Sequence, residues 1–366
     1  MLFTIPIKNA RLRMELSVFL YLCTRKSKHF SMRHFYPLFL VIIGVACGCN
    51  RLQEPENQLI FETCANLPEA RTAATAFVVD GKAYIVGGRT LSSDACKNNA
   101  NGYPKNLWQY DPTTDTWTDL GEVPFGSRVH ATAQVVGSDV YVGLGFSGGV
   151  YNENNYHRDW WRYTPATHTW QQLDSFPNDY TNDCAAYYLD GKIYACYGFG
   201  TYGYSRQIGE YDIASDTWTA HETSYKNATH GISLTGAQVG ERCFLGGGWN
   251  SKNLNERQWY EFDPATDRWI ERAKMPSGRV YTATTTDSRY IYVMGGRHFG
   301  GSLTTGEVYD QVLCYDTEKD CWTLHGHLPG GARENAVAFT IGNRHFVGLG
   351  NDADEQILSD LHAWTE

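Results

Sequence analysis

The sequence lacks the short motifs that mark several common chemistries. It has no P-loop, no EF-hand loop and no serine–histidine–acid arrangement, and its cysteines show neither CxxC nor zinc spacing. Seven cysteines follow Cys49, an odd number. We therefore expect no metal and no cofactor, and we interpret the cysteines mainly as small core residues.

Basic residues are scarce over most of the chain. The first 49 residues carry seven Lys or Arg and one Glu, so the remainder has 24 basic and 39 acidic residues, a net charge of −15. Such a surface repels polyanions, which argues against nucleic acid and against anionic membrane surfaces as partners.

Long hydrophobic runs are also lacking, apart from one near the N-terminus. Residues 33–49 combine a basic start, an apolar run from Phe35 to Ala46 and small residues before Cys49. This is the pattern of a secretory signal peptide, and its apolar run is short for a membrane span. The ending "ACGC" resembles a bacterial lipobox and predicts a lipid on Cys49, with Cys47 as the alternative. An uncleaved anchor is the other interpretation.

These features divide the chain into three parts. Residues 1–49 are an N-terminal extension with the signal peptide, in which Met1 or Met32 is the start, and residues 50–57 are a linker. Residues 58–366 form the folded domain. We expect it to be secreted across the inner membrane of a bacterium and lipid-anchored, in the periplasm or at the outer membrane or cell surface.

Aromatic residues and glycine are abundant: the 366 residues include 24 Tyr, 11 Trp and 36 Gly, which favours an all-β protein. In five stretches an aromatic residue is followed seven positions later by a tryptophan. The pairs are Tyr110/Trp117, Tyr163/Trp170, Tyr211/Trp218, Phe262/Trp269 and Tyr315/Trp322.

A second repeating segment precedes each aromatic pair. It consists of a strand of small residues, a tight turn and a strand that ends in glycines; Asp80-Gly81 and Asp190-Gly191 fit two-residue hairpins. Each unit thus supplies four antiparallel strands in about fifty residues. Six such units predict an all-β fold, a six-bladed β-propeller.

The glycine pairs, the aromatic residue and the tryptophan resemble the Kelch repeat over residues 58–366. The pairs are Gly87-Gly88, Gly247-Gly248 and Gly295-Gly296; "GLG" at 143–145 and 348–350 and "YGFG" at 197–200 depart from the pattern. The sixth unit ends before its tryptophan strand, whereas Phe61 stands ten residues before Arg71 as Trp117 stands eleven before Arg128. We therefore expect the N-terminal strand to complete the last blade and close the ring, which removes exposed sheet edges.

The resemblance implies that two positions per blade meet on one face, around the central channel. The strand starts are Arg71, Arg128, Thr181, Gly231, Arg279 and Arg333, and the residues after the glycines are Arg89, Phe146, Phe199, Trp249, Arg297 and Asn351. Five of the arginines fall in blades 1, 5 and 6, which closure makes neighbours, and the aromatic residues fall in blades 2 to 4.

Two interpretations of the arginines are open. They could brace the blades by binding backbone carbonyls, or they could form a cationic wall for a ligand. The crowding of five like charges favours the ligand site: guanidinium groups bind carboxylates, and aromatic rings stack on sugar faces. The expected partner is then an anionic sugar or glycan, or an acidic peptide, with an envelope protein as a further possible partner.

Catalytic candidates are few. His130 and Asp183 each lie two residues inside a strand start, near the channel mouth, where they could act as acid and base. A histidine in a strand is more often structural.

Two functions remain open from the sequence. The first is a monomeric, envelope-anchored binding or interaction scaffold. The second is a sugar-active enzyme, because six-bladed Kelch proteins that are similar at the level of fold include N-acetylneuraminate mutarotases. Galactose oxidase is excluded, since that family has seven blades and a copper-bearing region, and no copper set of Tyr and His is evident.

Overall fold

A computed structural model describes residues 52–55, 58–92, 102–148, 155–177, 181–200, 203–204, 207–222, 231–250, 255–263, 266, 268–301 and 305–366. Cys49, with the predicted signal peptide, lies outside these residues. Within them, no helix has the length and apolar character needed to cross a membrane.

The strands form six four-stranded antiparallel sheets, which are the blades of a propeller. In every blade the first strand is innermost and the fourth is outermost. Blade 1 holds β2 (Thr72–Val79), β3 (Lys82–Arg89), β4 (Asn106–Asp111) and β5 (Thr116–Glu122); blade 2 holds β6 (Thr132–Val136), β7 (Asp139–Gly143), β8 (Trp160–Thr164) and β9 (Thr169–Leu173); blade 3 holds β11 (Ala185–Leu189), β12 (Lys192–Cys196), β15 (Gln207–Asp212) and β16 (Thr217–Glu222).

The second half of the ring follows the same order. Blade 4 holds β18 (Thr235–Val239), β19 (Arg242–Gly246), β21 (Trp259–Asp263) and β22 (Arg268–Arg272); blade 5 holds β23 (Ala283–Thr286), β24 (Tyr290–Met294), β27 (Gln311–Asp316) and β28 (Cys321–His327); blade 6 holds β29 (Val337–Ile341), β30 (Arg344–Gly348), β31 (Leu361–Thr365) and β1 (Glu62–Cys64). Short strands in the loops of one face are β10 (Thr181–Asn182), β13 (Phe199–Gly200), β14 (Gly203–Tyr204), β17 (Gly231–Ile232), β20 (Trp249–Asn250), β25 (Arg297–Phe299) and β26 (Gly306–Val308), and a 3₁₀ turn spans Pro165–Thr167.

The N-terminal strand completes the last blade, as predicted. β1 pairs antiparallel with β31, Glu62 opposite Ala363 and Cys64 opposite Leu361. Phe61 packs on Trp364 with 5.3 Å between ring centroids. The six-bladed Kelch-type propeller and its closure by the N-terminal strand are therefore confirmed.

The aromatic–tryptophan repeat joins adjacent blades. In blade 1 the hydroxyl of Tyr110 donates to Asp115 (2.7 Å), which also accepts the backbone N–H of Ala65 from blade 6 (2.8 Å). The indole N–H of Trp117 donates to the carbonyl of Ala65 (2.8 Å). Burial, with the Asp115 hydrogen bond, raises the pKa of Tyr110, so its hydroxyl stays a donor. The same three hydrogen bonds recur at two other blade junctions. They join Tyr211, Asp216, Trp218 and Asp174 at one, and Tyr315, Asp320, Trp322 and Ala273 at the other.

The glycine pairs sit where one blade approaches the next. The N–H of Gly88 donates to the carbonyl of Arg128 in blade 2 (2.8 Å), and a Cβ on Gly87 would lie 2.4 Å from that oxygen. Both glycines have positive φ. In blades 2 and 6 Leu144 and Leu349 adopt the left-handed conformation of the first glycine, with φ of 57° and 58°. The "GLG" departures therefore keep the same backbone path.

Candidate functional site

Six equivalent residues surround one end of the channel, and we call them the mouth ring. Each lies two positions after a predicted strand start, and each has a left-handed backbone with φ between 52° and 57°. Non-glycine residues hold this conformation at a cost of roughly 1–3 kcal/mol, and such residues cluster at functional sites. The mouth ring consists of Ala73, His130, Asp183, Ser233, Tyr281 and Asn335.

Backbone hydrogen bonds link five members of the mouth ring from blade to blade. The N–H of Asn335 donates to Tyr281 (2.9 Å), that of Ala73 to Asn335 (3.0 Å), that of His130 to Ala73 (3.1 Å) and that of Asp183 to His130 (3.4 Å). Because these hydrogen bonds join main-chain groups, they fix the backbone position of each of the five residues and leave its side chain available for other contacts.

All six side chains line a cavity of about 310 Å³ at the mouth. Below it lies a second cavity of about 520 Å³, and the two share wall residues such as Cys184 and Thr284. The upper walls are mostly alanine and threonine, as the predicted small-residue strands require. Of the described residues that line the upper cavity, none is Lys, Arg or Glu, and Asp183 is its one acidic side chain.

The mouth brings His130 and Asp183 together. Nδ1 of His130 lies 2.6 Å from Oδ1 of Asp183, and the hydroxyl of Ser233 donates to Oδ2 (3.1 Å). Tyr281 belongs to blade 5, across the channel from His130 of blade 2. Its side chain reaches over the mouth, so that the centroids of the two rings are 5.7 Å apart. A carboxylate that accepts Nδ1–H leaves the lone pair on Nε2, the arrangement a general base requires.

The predicted arginine wall is not found; all six side chains are enclosed. Arg71, Arg128, Arg279 and Arg333, at the strand starts, are at most 2% exposed. Each donates to a backbone carbonyl sixteen residues later in its own blade, for example Arg128 to Leu144 (2.9 Å). The prediction that these arginines crowd their charges at the mouth is therefore wrong, because the backbone directs their side chains into the blades.

Each strand-start arginine also binds the beginning of the third strand of its blade. Arg128 forms a bidentate pair with Asp159 (2.8 and 2.8 Å), and Arg333 does so with Asp360 (2.8 and 2.7 Å). Arg279 instead donates to the amide oxygen of Gln311 (2.8 Å), and burial lowers the pKa of Arg279 to about 10. In Arg71 the partners are Asn106 and Glu69. The bracing interpretation holds, although the braces act within a blade rather than between blades.

The two remaining arginines follow the glycines. Arg297 forms a bidentate pair with Glu334 of blade 6 (2.8 and 2.9 Å), and both are buried. Asn351 donates to Glu334 (3.0 Å) and accepts the hydroxyl of Thr72 in blade 1 (2.6 Å), so this network spans three blades. Arg89, 8% exposed, donates to the carbonyl of Leu91.

The predicted aromatic residues do lie beside the mouth. Phe146, Phe199 and Trp249 are half-buried, and each pairs by its backbone with the residue that precedes a mouth-ring member. Trp249 packs against Phe299, with 4.7 Å between ring centroids. These rings flank blades 2 to 4, where the predicted stacking wall was placed.

Three polar mouth residues, Ser233, Tyr281 and Asn335, were missed by sequence reasoning. Their signal was present, because they occupy the same column of the repeat as His130 and Asp183. Across the portion of the chain that the structure covers, no group of three or more His, Cys, Asp or Glu is placed to hold a metal.

Comparison with known families agrees with this architecture. Residues 146–350, more than half of the chain, match the model described as the Attractin/LZTR1 β-propeller. The chain belongs to the Attractin/LZTR1 β-propeller family. Residues 70–124 also match the Kelch motif, which confirms the Kelch resemblance. Kelch propellers are in general protein-interaction scaffolds.

Several curated proteins are similar to this Kelch propeller. Human Kelch-like protein 38 is 25% identical over 315 residues, which are 82% of this chain and 49% of that protein. Kelch-like protein terF of Aspergillus terreus is 28% identical over 220 residues, 58% of this chain and 46% of that protein. The chain thus spans about half the length of these relatives. A solved structure titled "Structure of YjhT" superposes with a TM-score of 0.65 at 17% identity, covering 81% of this chain and 96% of the other, a likeness of fold.

Proposed function

We propose that this Kelch propeller binds a sugar or glycan at the channel mouth. The observation that carries the proposal is the mouth ring, in which main-chain hydrogen bonds join five of the six members and the side chains present imidazole, carboxylate, hydroxyl, phenol and amide groups to one cavity. Sugar hydroxyls both donate and accept hydrogen bonds, so a mixed set of this kind matches them.

The surroundings of the mouth support the same ligand. Phe146, Phe199 and Trp249 are half-buried in the loops next to the mouth ring, outside the cavity lining, where they can stack on the part of a glycan that extends beyond the cavity. The cavity of about 310 Å³ is at the small end of ligand pockets, which suits a single sugar unit or the end of a glycan. A protein that carries such a glycan is the kind of partner that fits an interaction scaffold.

His130→Ala should weaken binding of a sugar hit from a glycan screen roughly tenfold, since a hydrogen bond to a charged or polar group contributes about 1–3 kcal/mol. Isothermal titration calorimetry on residues 50–366 measures the affinity. His168→Ala is the matched control, because His168 lies in the turn between β8 and β9, at the other end of blade 2. Equal affinities for the two variants would place the ligand elsewhere.

A second candidate, a sugar mutarotase, is favoured by the His130–Asp183 pair. Nε2 of His130 could take the proton of the anomeric hydroxyl while the ring C–O bond opens and its oxygen is protonated from solvent; reclosure on the other face gives the second anomer. No group is oxidised or reduced. NMR exchange between the anomers of a bound sugar tests it: acceleration by the wild type and not by His130→Asn indicates turnover, and binding without acceleration indicates a scaffold.

We also propose that the chain is exported and lipid-anchored through Cys49. The support is the basic, apolar and small-residue order of residues 33–49. Cys49→Ser should abolish labelling with a palmitate analogue and release the protein from the membrane fraction of a bacterial host. Labelling that is lost in Cys47→Ser instead would move the cleavage site, and labelling unaffected by both changes would remove the anchor.

A further inference from the structure

The charges around the mouth are unbalanced. Among the described residues that line the upper cavity, Asp183 is the one carboxylate, and none is Lys or Arg. The arginines that could have offset it are enclosed in their blades by carbonyl and side-chain acceptors. The buried ion pair of Arg297 with Glu334, which precedes Asn335 of the mouth ring in the sequence, is neutral as a unit.

The carboxylate of Asp183 is also held in place. His130 and Ser233 occupy its two oxygens, at 2.6 and 3.1 Å, and its backbone belongs to the mouth ring. A carboxylate on a mobile chain could turn towards solvent when an anion approaches. This one has to stay in the cavity wall, where it faces whatever enters.

We infer that the mouth selects uncharged sugars and excludes acidic ones, with Asp183 as the residue that sets this specificity. The inference rests on the proposed sugar-binding function and names its ligand class. A ligand carboxylate in the cavity would meet like charge without a guanidinium partner, whereas the hydroxyl of an uncharged sugar can donate to the oxygens of Asp183. At distances of a few ångströms in a partly enclosed site, one like charge that no Lys or Arg of the cavity lining offsets should weaken binding about tenfold or more.

Matched sugar pairs test the selectivity. Glucose with glucuronic acid, galactose with galacturonic acid, and N-acetylmannosamine with N-acetylneuraminic acid are titrated into wild-type residues 50–366 and into Asp183→Asn. We expect the uncharged member of a binding pair to bind about tenfold tighter to the wild type. In Asp183→Asn the difference should shrink to within about threefold, because asparagine keeps the shape and tolerates the left-handed backbone.

The outcomes separate the two claims. Equal or tighter binding of the acidic sugar to the wild type overturns the selectivity and leaves sugar binding intact. An unchanged preference in Asp183→Asn removes Asp183 as its cause. Binding of no sugar from any pair overturns the proposed function, and the selectivity with it.

A probe that needs no sugar gives an independent result. Cys184 follows Asp183, lines both cavities and is partly exposed. Its rates of modification by the anionic sulfonatoethyl and the cationic trimethylammonioethyl methanethiosulfonates are compared in a Cys96→Ser, Cys321→Ser background. Relative to a small thiol in solution, the cationic reagent should be favoured about tenfold more, and Asp183→Asn should remove that excess. A wild-type preference equal to that of the small thiol overturns the inference even if Asp183→Asn does not fold.

Discussion

Arg333→Ala is expected to lower the free energy of unfolding by about 2–3 kcal/mol, because it removes the bidentate partner of the half-buried Asp360, which keeps only its contact with His362. The same substitution frees the carbonyls of Leu349 and Pro329, which Arg333 binds at 3.3 and 3.1 Å. Chemical unfolding followed by tryptophan fluorescence measures the loss.

Arg344→Ala is the matched control for this prediction. Arg344 also pairs with a carboxylate, Glu62, but that pair is exposed, so its loss should cost at most about 1 kcal/mol. If Arg333→Ala kept the stability of the wild type and lost affinity for an acidic ligand, the bracing role would be refuted. The arginines would then be ligand contacts.

The pH dependence of the Arg333 effect follows from Asp360. Burial alone would raise the pKa of Asp360, but hydrogen bonds from His362 and Arg333 hold it well below its usual range. A depressed carboxyl pKa adds stability that is present above the unfolded value of about 3.9 and is lost as the pH falls towards the folded pKa. The difference between wild type and Arg333→Ala should therefore be largest near neutral pH and shrink below about pH 4.

Deletion of residues 50–67 is expected to lower the melting temperature by about 10 °C or more, since it opens blade 6. It removes β1 and the buried side chains of Cys64 and Leu67, 7% and 1% exposed, and it uncovers Trp364. The free edge of β31 should also promote self-association, which size-exclusion chromatography detects alongside calorimetry.

A shorter deletion, of residues 50–55, serves as the control. This segment contributes Leu52, which packs beside blades 4 and 5, and Glu54, which pairs with His327 at 3.2 Å. It adds no strand to the ring, so we expect a fall of only a few degrees. A melting temperature unaffected by the longer deletion would show that closure contributes little to stability.

The repeat made the fold predictable, because each element recurs with the same spacing. The column of the repeat that holds His130 and Asp183 also made the mouth predictable, and following that column through all six units would have found Ser233, Tyr281 and Asn335. The spacing of the repeat could not show in which direction each side chain points. Each strand-start arginine is two residues from a mouth-ring member, at the entry to the innermost strand, yet the arginine side chain points into the blade and the mouth-ring side chain into the channel.

The reason is the left-handed residue at each mouth position, which breaks the simple alternation of strand side chains. The groups that accept hydrogen bonds from the arginines could not be identified from the sequence either. Asp159, Gln311 and Asp360 come immediately before or at the start of third strands, in segments that differ among the repeats and whose alignment depends on loop length. Burial of a charge is decided by such distant partners, which local sequence does not reveal.

The mouth ring has a consequence for how this surface can diversify. Main-chain hydrogen bonds join five of its six members, so the side chains at these positions can change without breaking those bonds. The backbone conformation restricts which residues can occupy these positions. A φ near +55° disfavours valine, isoleucine and threonine, and none of the six residues is β-branched. Substitution of these six positions by residues that tolerate the left-handed backbone should therefore alter ligand preference independently of stability, which makes the ring a natural target for a combinatorial library.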